Sequence, residues 1–339
     1  MKVMEKEWKK IFRWSKHHTF VASGIVIIIL AVVTTVTTIA FMGIPKTQFR
    51  STVAVSPDAN TDQIIETIHE HGFGGNTLFL KTALTIASLF KKIEAGGYYL
   101  SLAMNDWQIF RALANPGMRY ITIAPGQRKQ EIADVLASRL DWDTVAKREF
   151  VNVHMDLDEE NLEGKYFPAT YLLPTDSTPE TVAETMINKY DEQIEKLKKK
   201  YPRVVVNYDT ALLIASVIQR EAAGKQDMRL ISGIIWNRIF KGMSLSLDAT
   251  VQYAKGKTED GWWAPIEASD IREIDSPYNT YKNKGLPPSP ISNPSTEAIE
   301  AALNPQITSC LYYLHDAYRR IHCSTTGEGH EANVRTYLR

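Results

Sequence analysis

Cysteine is nearly absent from this 339-residue chain: there are two, and they form no C-x-x-C pair. That excludes a disulfide-stapled scaffold and the common cysteine zinc sites. Net charge is absent as well, with 39 basic against 39 acidic side chains, so the basic surplus of a nucleic-acid binder is missing and no nucleic-acid partner is expected. The sequence contains no G-x-S-x-G elbow, no G-x-x-x-x-G-K-[ST] loop and no G-x-G-x-x-G turn, which leaves serine hydrolases and nucleotide cofactors without support. The eight histidines are scattered, and His69-Glu70-His71 has the wrong spacing for H-E-x-x-H and reads as a solvated helix end. Neither a metal nor a cofactor is expected. Disorder is excluded in turn by a hydrophobic content of 44%.

Long apolar runs are also scarce, and the single exception is informative. Residues 20–44 (FVASGIVIIILAVVTTVTTIAFMGI) carry no charge. As a helix rising about 1.5 Å per residue they reach roughly 37 Å, enough to cross a hydrocarbon core of ~30 Å with some tilt. Residues 1–19 before them hold six basic and two acidic side chains, net +4, which places that end in the cytoplasm by the positive-inside rule. A cleaved signal peptide has a shorter apolar core, about 7 to 15 residues, and a small-residue cleavage site, so a retained anchor is the better reading. Residues 45–339 hold 33 basic and 37 acidic side chains, net −4, and are expected outside the membrane.

Beyond a polar tether, a strand-like stretch at 52–55 leads through Ser56-Pro57-Asp58 into an amphipathic helix with Ile64, Ile65 and Ile68 on one face. The same order recurs 68 residues later, where 121–123 lead through Ala124-Pro125-Gly126 to Ile132, Ala133 and Leu136. A buried helix is expected over 78–95 and a strand over 97–100. Helices are expected from Thr178 to Lys200, after an Asp209-Thr210 cap, from about Asp227 to a Gly242 stop, and over 295–303. The lysines at 196 and 198–200 suit the negative end of their helix, and a solvated end is favoured over a lipid-binding patch. Rigid proline-rich loops fill 277–294, and a terminal hairpin closes the chain.

Glu221 stands at the end of an apolar helical stretch. A carboxylate there loses solvation and its pKa rises, as a general acid near neutral pH requires. Position alone favours an exposed or salt-bridged surface carboxylate. The surroundings decide: 213–221 (LIASVIQRE), Asn237-Arg238, 241–245 (KGMSL), 248–253 (DATVQY), 278–281 (YNTY) and 285–288 (GLPP) occur in one order. With the 162–174 segment and the terminal Ser324-Thr325-Thr326, Glu328 and His330, they make the chain resemble the YceG-like family of membrane-anchored endolytic murein transglycosylases over nearly its whole length.

The resemblance implies an α+β architecture: a cytoplasmic tail (1–19), a transmembrane helix (20–44), a tether with a LysM-like subdomain (45–118) and a catalytic domain (119–339). It implies Glu221 as catalytic acid and then base. Asp248, Thr250, Tyr278, Asn279 and Tyr281 fall in motifs around a glycan cleft. Tyr278 to Tyr281 could equally brace the proline-rich loop, and Asp248 could orient Thr250 rather than touch sugar. Peptidoglycan strands, the cytoplasmic membrane and peptidoglycan synthases are the partners implied. A non-catalytic peptidoglycan-binding scaffold and a hydrolytic muramidase are the rival readings. Two departures stand out: Asp248-Ala249-Thr250 replaces D-P-T, and Arg319 to Cys323 replaces G-H-x-F, which shifts His322 by one place and so to the other face of a strand. Cys310 and Cys323 flank the hairpin, either as a cross-strand disulfide or as two buried thiols.

Overall fold

The computed structural model describes residues 27–28, 30–31, 51–89, 93–152, 162–203 and 206–338. All but four residues of the apolar run at 20–44 therefore lie outside the described residues, and among those described no helix is long and apolar enough to cross a membrane. The chain divides into two compact units, Met1–Met118 and Arg119–Arg339.

In the first unit, β1 (Ser51–Val55) pairs antiparallel with β2 (Gly96–Leu100), Ser51 opposite Leu100 and Val55 opposite Gly96. Between them lie α1 (Thr61–Glu70) and α2 (Thr77–Ser88), and α3 (Asp106–Ala112) comes after β2. Asn60 begins α1 with a capping box, its side chain accepting from Gln63 N–H while the Gln63 side chain accepts from Asn60 N–H, both at 2.9 Å. Ile64, Ile65 and Ile68 meet Val53, Val55, Tyr98 and Leu100 in one core. The helix expected over 78–95 ends at Ser88 and is not buried: only Leu80 and Leu84 face the core, while Leu78 and Leu89 are largely exposed. Uniform hydrophobicity had concealed a helix with a single buried edge.

The second unit is α+β. In β3 (Met118–Thr122) and β4 (Thr170–Pro174), neighbouring strands, the hydroxyls of Thr122 and Thr170 are 2.9 Å apart. Three helices, α4 (Lys129–Leu140), α5 (Thr144–Asn152) and α6 (Pro179–Lys200), join these strands around Ile121, Ile132, Leu136, Phe150 and Met186. Thr178 caps α6, and proline stands in its first turn, where its missing N–H costs nothing. A second core is built from α7 (Tyr208–Glu221), α8 (Lys225–Phe240) and, after α9 (Asp248–Lys255) and α10 (Ala268–Glu273), from α11 (Thr296–Leu303). Small residues at Ala298, Ala301 and Ala302 let α11 lie close against α7, where Ile214 and Ile218 are fully buried. Each of those isoleucines contributes roughly 1.5–3 kcal/mol by leaving water.

The chain ends in a hairpin and a helix: β5 (Tyr312–His315), β6 (Ile321–Ser324) and α12 (Gly327–Tyr337). Tyr313 lies opposite Cys323, and Cys310 and Cys323 form a disulfide with their Cα atoms 5.9 Å apart. Asp316 organises the turn. Its carboxylate accepts from the backbone N–H of Tyr318 and Arg320, each at 2.9 Å, from Arg320 Nε at 2.8 Å, and lies 3.0 Å from His322 Nε2. These donors hold its pKa below the usual carboxylate range.

Candidate active site

Glu221 is the last residue of α7. The helix starts at Asn207, whose side chain accepts from Thr210 N–H at 2.7 Å; the cap is thus two residues earlier than Asp209-Thr210 suggests, and Asp209 is an acidic residue in the first turn. The run 211–218 is almost wholly buried, and Ala222 turns to extended backbone, so the helix stops with Glu221 at the edge of its own core.

Two elements meet that carboxyl group. Tyr313 on β5 donates its hydroxyl to Glu221 Oε2 at 2.7 Å. The Ala249 amide in the first turn of α9 also favours its charged form, as the positive end of a helix should. Against these act burial and the neighbouring Asp248 carboxylate, and burial is the largest influence: the Glu221 pKa is raised above 4.5. The residue as a whole is nevertheless only half-buried. The two observations are compatible, because a carboxyl ringed by protein can be poorly solvated while one edge stays open. A proton donor that a small polar ligand can reach is what such a group provides.

Burial and the adjacent Glu221 raise the Tyr313 pKa well above its usual value, so its hydroxyl stays a donor. On the same face of β5, His315 Nε2 lies 3.1 Å from buried Asp227 at the start of α8. Helix α8 fixes the approach to this strand through Asn237, which donates to the carbonyls of Thr308 (2.8 Å) and Cys310 (3.1 Å), and Arg238, which donates to those of Leu311 (2.6 Å) and Leu245. The Asn237-Arg238 motif is a brace.

The structure separates the motif residues expected around a cleft. Asp248 is exposed, accepts the Tyr281 hydroxyl at 2.5 Å, and acts electrostatically on Glu221. Tyr281 is half-buried, with its pKa pushed up chiefly by burial and then by Asp248. Both belong to the Glu221 neighbourhood. Thr250 and Asn279 are fully buried: the Thr250 hydroxyl donates to Leu247 O at 2.6 Å and is bonded to Thr280, while the Asn279 amide donates to Ile271 O and Ile274 O and accepts from Tyr281 N–H. The Tyr278 hydroxyl is 2.5 Å from Ser289 Oγ, and its ring packs at a tilt against Tyr253. Thr250 ties the 276–290 loop to the start of α9, Asn279 ties it to the end of α10, and Tyr278 ties it to itself and to Tyr253 further along α9.

A cationic and aromatic wall adjoins α7. The Arg220 guanidinium lies 3.8 Å from the Trp263 ring centre, and Trp263 Nε1 donates to Glu131 at 2.8 Å. Arg128, only 6% exposed, sits 4.0 Å over Tyr253. A separate apolar groove of about 590 Å³ is lined by Val206, Trp236, Phe240 and Ile307 among others, and includes neither Glu221 nor its partners. Tyr313, His315 and the Ala249 amide escaped sequence reasoning. Only strand alternation, putting 313 and 315 on one face, hints at them, and alternation does not say what that face meets.

Comparison with known proteins places the chain in a family. The sequence pattern of the YceG-like family matches residues 53–336. The chain is 34% identical over 268 residues to an endolytic murein transglycosylase of Bacillus subtilis, covering 72% of this chain and 73% of that protein. It is 32% identical over 178 residues to an endolytic murein transglycosylase of Streptococcus pneumoniae, covering 52% of this chain and 32% of that longer relative. A YceG-like protein of Listeria monocytogenes, solved by crystallography, shares the fold with a TM-score of 0.58 at 28% identity, over 84% of this chain and 99% of that one.

Proposed function

The chain belongs to the YceG-like family, and on that premise we propose that it is a membrane-anchored lytic transglycosylase that cuts peptidoglycan strands internally. The supporting observation is the Glu221 carboxyl, raised in pKa by burial and held by the Tyr313 hydroxyl at 2.7 Å. Protonated Glu221 donates to the glycosidic oxygen between N-acetylmuramic acid and N-acetylglucosamine. The muramic C6 hydroxyl attacks its own anomeric carbon as that bond breaks, and the Glu221 carboxylate takes the hydroxyl's proton. The product is a 1,6-anhydro end, no water is consumed, and the carboxyl regains its starting state. Because the nucleophile belongs to the substrate, it acts with intramolecular proximity and no second carboxylate is needed.

Tyr313 sets the balance of this group. Donating to the charged carboxylate, it draws the Glu221 pKa down from where burial alone would leave it. Tyr313→Phe should therefore move the alkaline limb of the activity profile, where the acid loses its proton, to higher pH by about one unit, the equivalent of a charge-assisted hydrogen bond of roughly 1.5 kcal/mol. A pH–rate series on the two proteins measures it, and a shift toward lower pH would contradict the assignment.

Asp248 beside Glu221 gives the hydrolytic alternative its footing, since a second carboxylate could activate water. The two differ in product. Digestion of purified sacculi by the full chain, with mass spectrometry of the glycan ends, should give anhydro-muramic termini; reducing termini would replace the reading with hydrolysis. The uncharged span at 20–44 supports anchoring with the amino terminus in the cytoplasm, and the Cys310–Cys323 bridge fits an oxidising location outside it.

A further inference from the structure

Glu163 is 0% exposed, a carboxylate with no surface of its own in a segment otherwise given to aromatic packing. Its position is built. Oε1 accepts the backbone N–H of Lys129, one of the unpaired donors at the start of α4, at 3.0 Å, and the amide Nδ2 of Asn293 at 2.7 Å. Asn293 has no freedom left: Nδ2 also donates to Gln127 O at 3.0 Å, and Oδ1 accepts from Tyr166 N–H at 2.9 Å. Burial pushes the Glu163 pKa up to about 7 against the pull of Lys129 and its N–H.

What Asn293 holds is the loop 291–295, and this loop is bonded to the end of the helix that carries Glu221. Ile291 N–H donates to Ser216 Oγ at 3.1 Å, Ser292 Oγ to Ser216 O at 2.9 Å, and Ser295 N–H to Gln219 Oε1 at 3.0 Å. Gly126 N–H donates to Asn293 O at 2.8 Å, and its carbonyl faces Arg220 Nη1 at 3.5 Å. The fit is close: Gly126 has φ +84°, and a Cβ there would come within 3.3 Å of Arg220. We propose that Glu163 is a positioning residue for the Glu221 reaction, fixing through Asn293 the loop that sets where the last turn of α7 ends. Nothing in this role requires contact with substrate.

The inference rests on Glu221 being the acid, and the experiment separates the two. Glu163→Asp keeps the charge but withdraws the carboxylate from Asn293 by about 1.5 Å. If the loop passes even part of that shift on to the Glu221 carboxyl, a misplacement of about 1 Å there costs up to two orders of magnitude, so kcat should fall about tenfold or more at unchanged KM on glycan strands. Glu163→Gln keeps an acceptor at the Oε1 position and should recover most of kcat, the opposite of what a charge effect would give. Ser292→Ala, which removes one bond to Ser216 and little volume, should lower kcat in the same direction and serves if Glu163→Asp does not fold. Near-wild-type kcat in both Glu163→Asp and Ser292→Ala, or Glu163→Gln as impaired as Glu163→Asp, overturns the inference while leaving Glu221 in place. Glu221→Gln assayed beside them tests the premise: activity retained there removes both.

Discussion

Glu221→Gln should abolish the release of anhydro-ended fragments, lowering kcat by at least about 10³-fold, because one group serves as both acid and base and each role is typically worth ~10²- to 10⁴-fold. The amide has nearly the same volume, so KM for glycan should change little. The fold should not suffer either. In the folded state Glu221 binds its proton more tightly than an ordinary glutamate of pKa 4.5, so its cost to stability is absent below about pH 4.5, grows as pH rises through the raised value, and stays constant above it. Glutamine removes that cost. Melting curves at acidic and mildly alkaline pH should show the variant unchanged at the first and equal or more stable at the second. A variant with wild-type turnover would sink the assignment of Glu221, whatever its melting behaviour.

Removing the Cys310–Cys323 bridge should have the next largest effect. The two residues are 13 apart, and closing a loop of that size restricts the unfolded chain by about 3 kcal/mol. In a unit of this length that corresponds to a fall in melting temperature of roughly 6–12 °C. Cys310→Ala with Cys323→Ala tests it by thermal denaturation, against the oxidised parent and the parent held in reductant. Activity should fall further than the folded fraction, since the bridge lies next to Tyr313, whose hydroxyl meets Glu221, and its loss frees a strand that it otherwise holds. Two titratable thiols in the untreated, denatured protein would contradict the bridge, and so would an unaltered melting temperature in the double variant.

Helices with two unlike faces were legible in the residue pattern. The spacing of Ile64, Ile65 and Ile68, and its echo at Ile132 and Leu136, fixes which side of α1 and α4 is buried, because a 3.6-residue repeat has one reading. Where both faces are apolar the period is silent, and α2 shows the consequence: Leu78 and Leu89 are as hydrophobic as Leu80 and Leu84 but lie in solvent. The cap of α7 was misplaced for a related reason. Asn207 and Asp209 are both good caps by composition, and only the backbone, extended at Asn207 and helical from Tyr208, selects between them.

The site divides in the same manner. Residue order brought Glu221, Asp248 and Tyr281 to notice, and the folded chain sets them around one carboxyl group. The same order singled out Thr250 and Asn279, whose polar atoms are spent on buried backbone. A motif records that a polar residue is present. It does not record whether that residue satisfies a ligand or its own loop, and a buried loop leaves unpaired carbonyls that must find donors.

By itself, then, the sequence determined what local chemistry can determine: an uncharged run long enough to span a bilayer, a strand-helix unit used twice, and a glutamate at the end of an apolar helix. Its period and its charge pattern are properties of neighbouring residues. Only the tertiary structure decided what holds that glutamate, since Tyr313 is 92 residues away, and the carboxylate of Glu163 reaches Asn293 across 130. Burial and electrostatic neighbourhood depend on distance in space, and distance along the chain carries no trace of it.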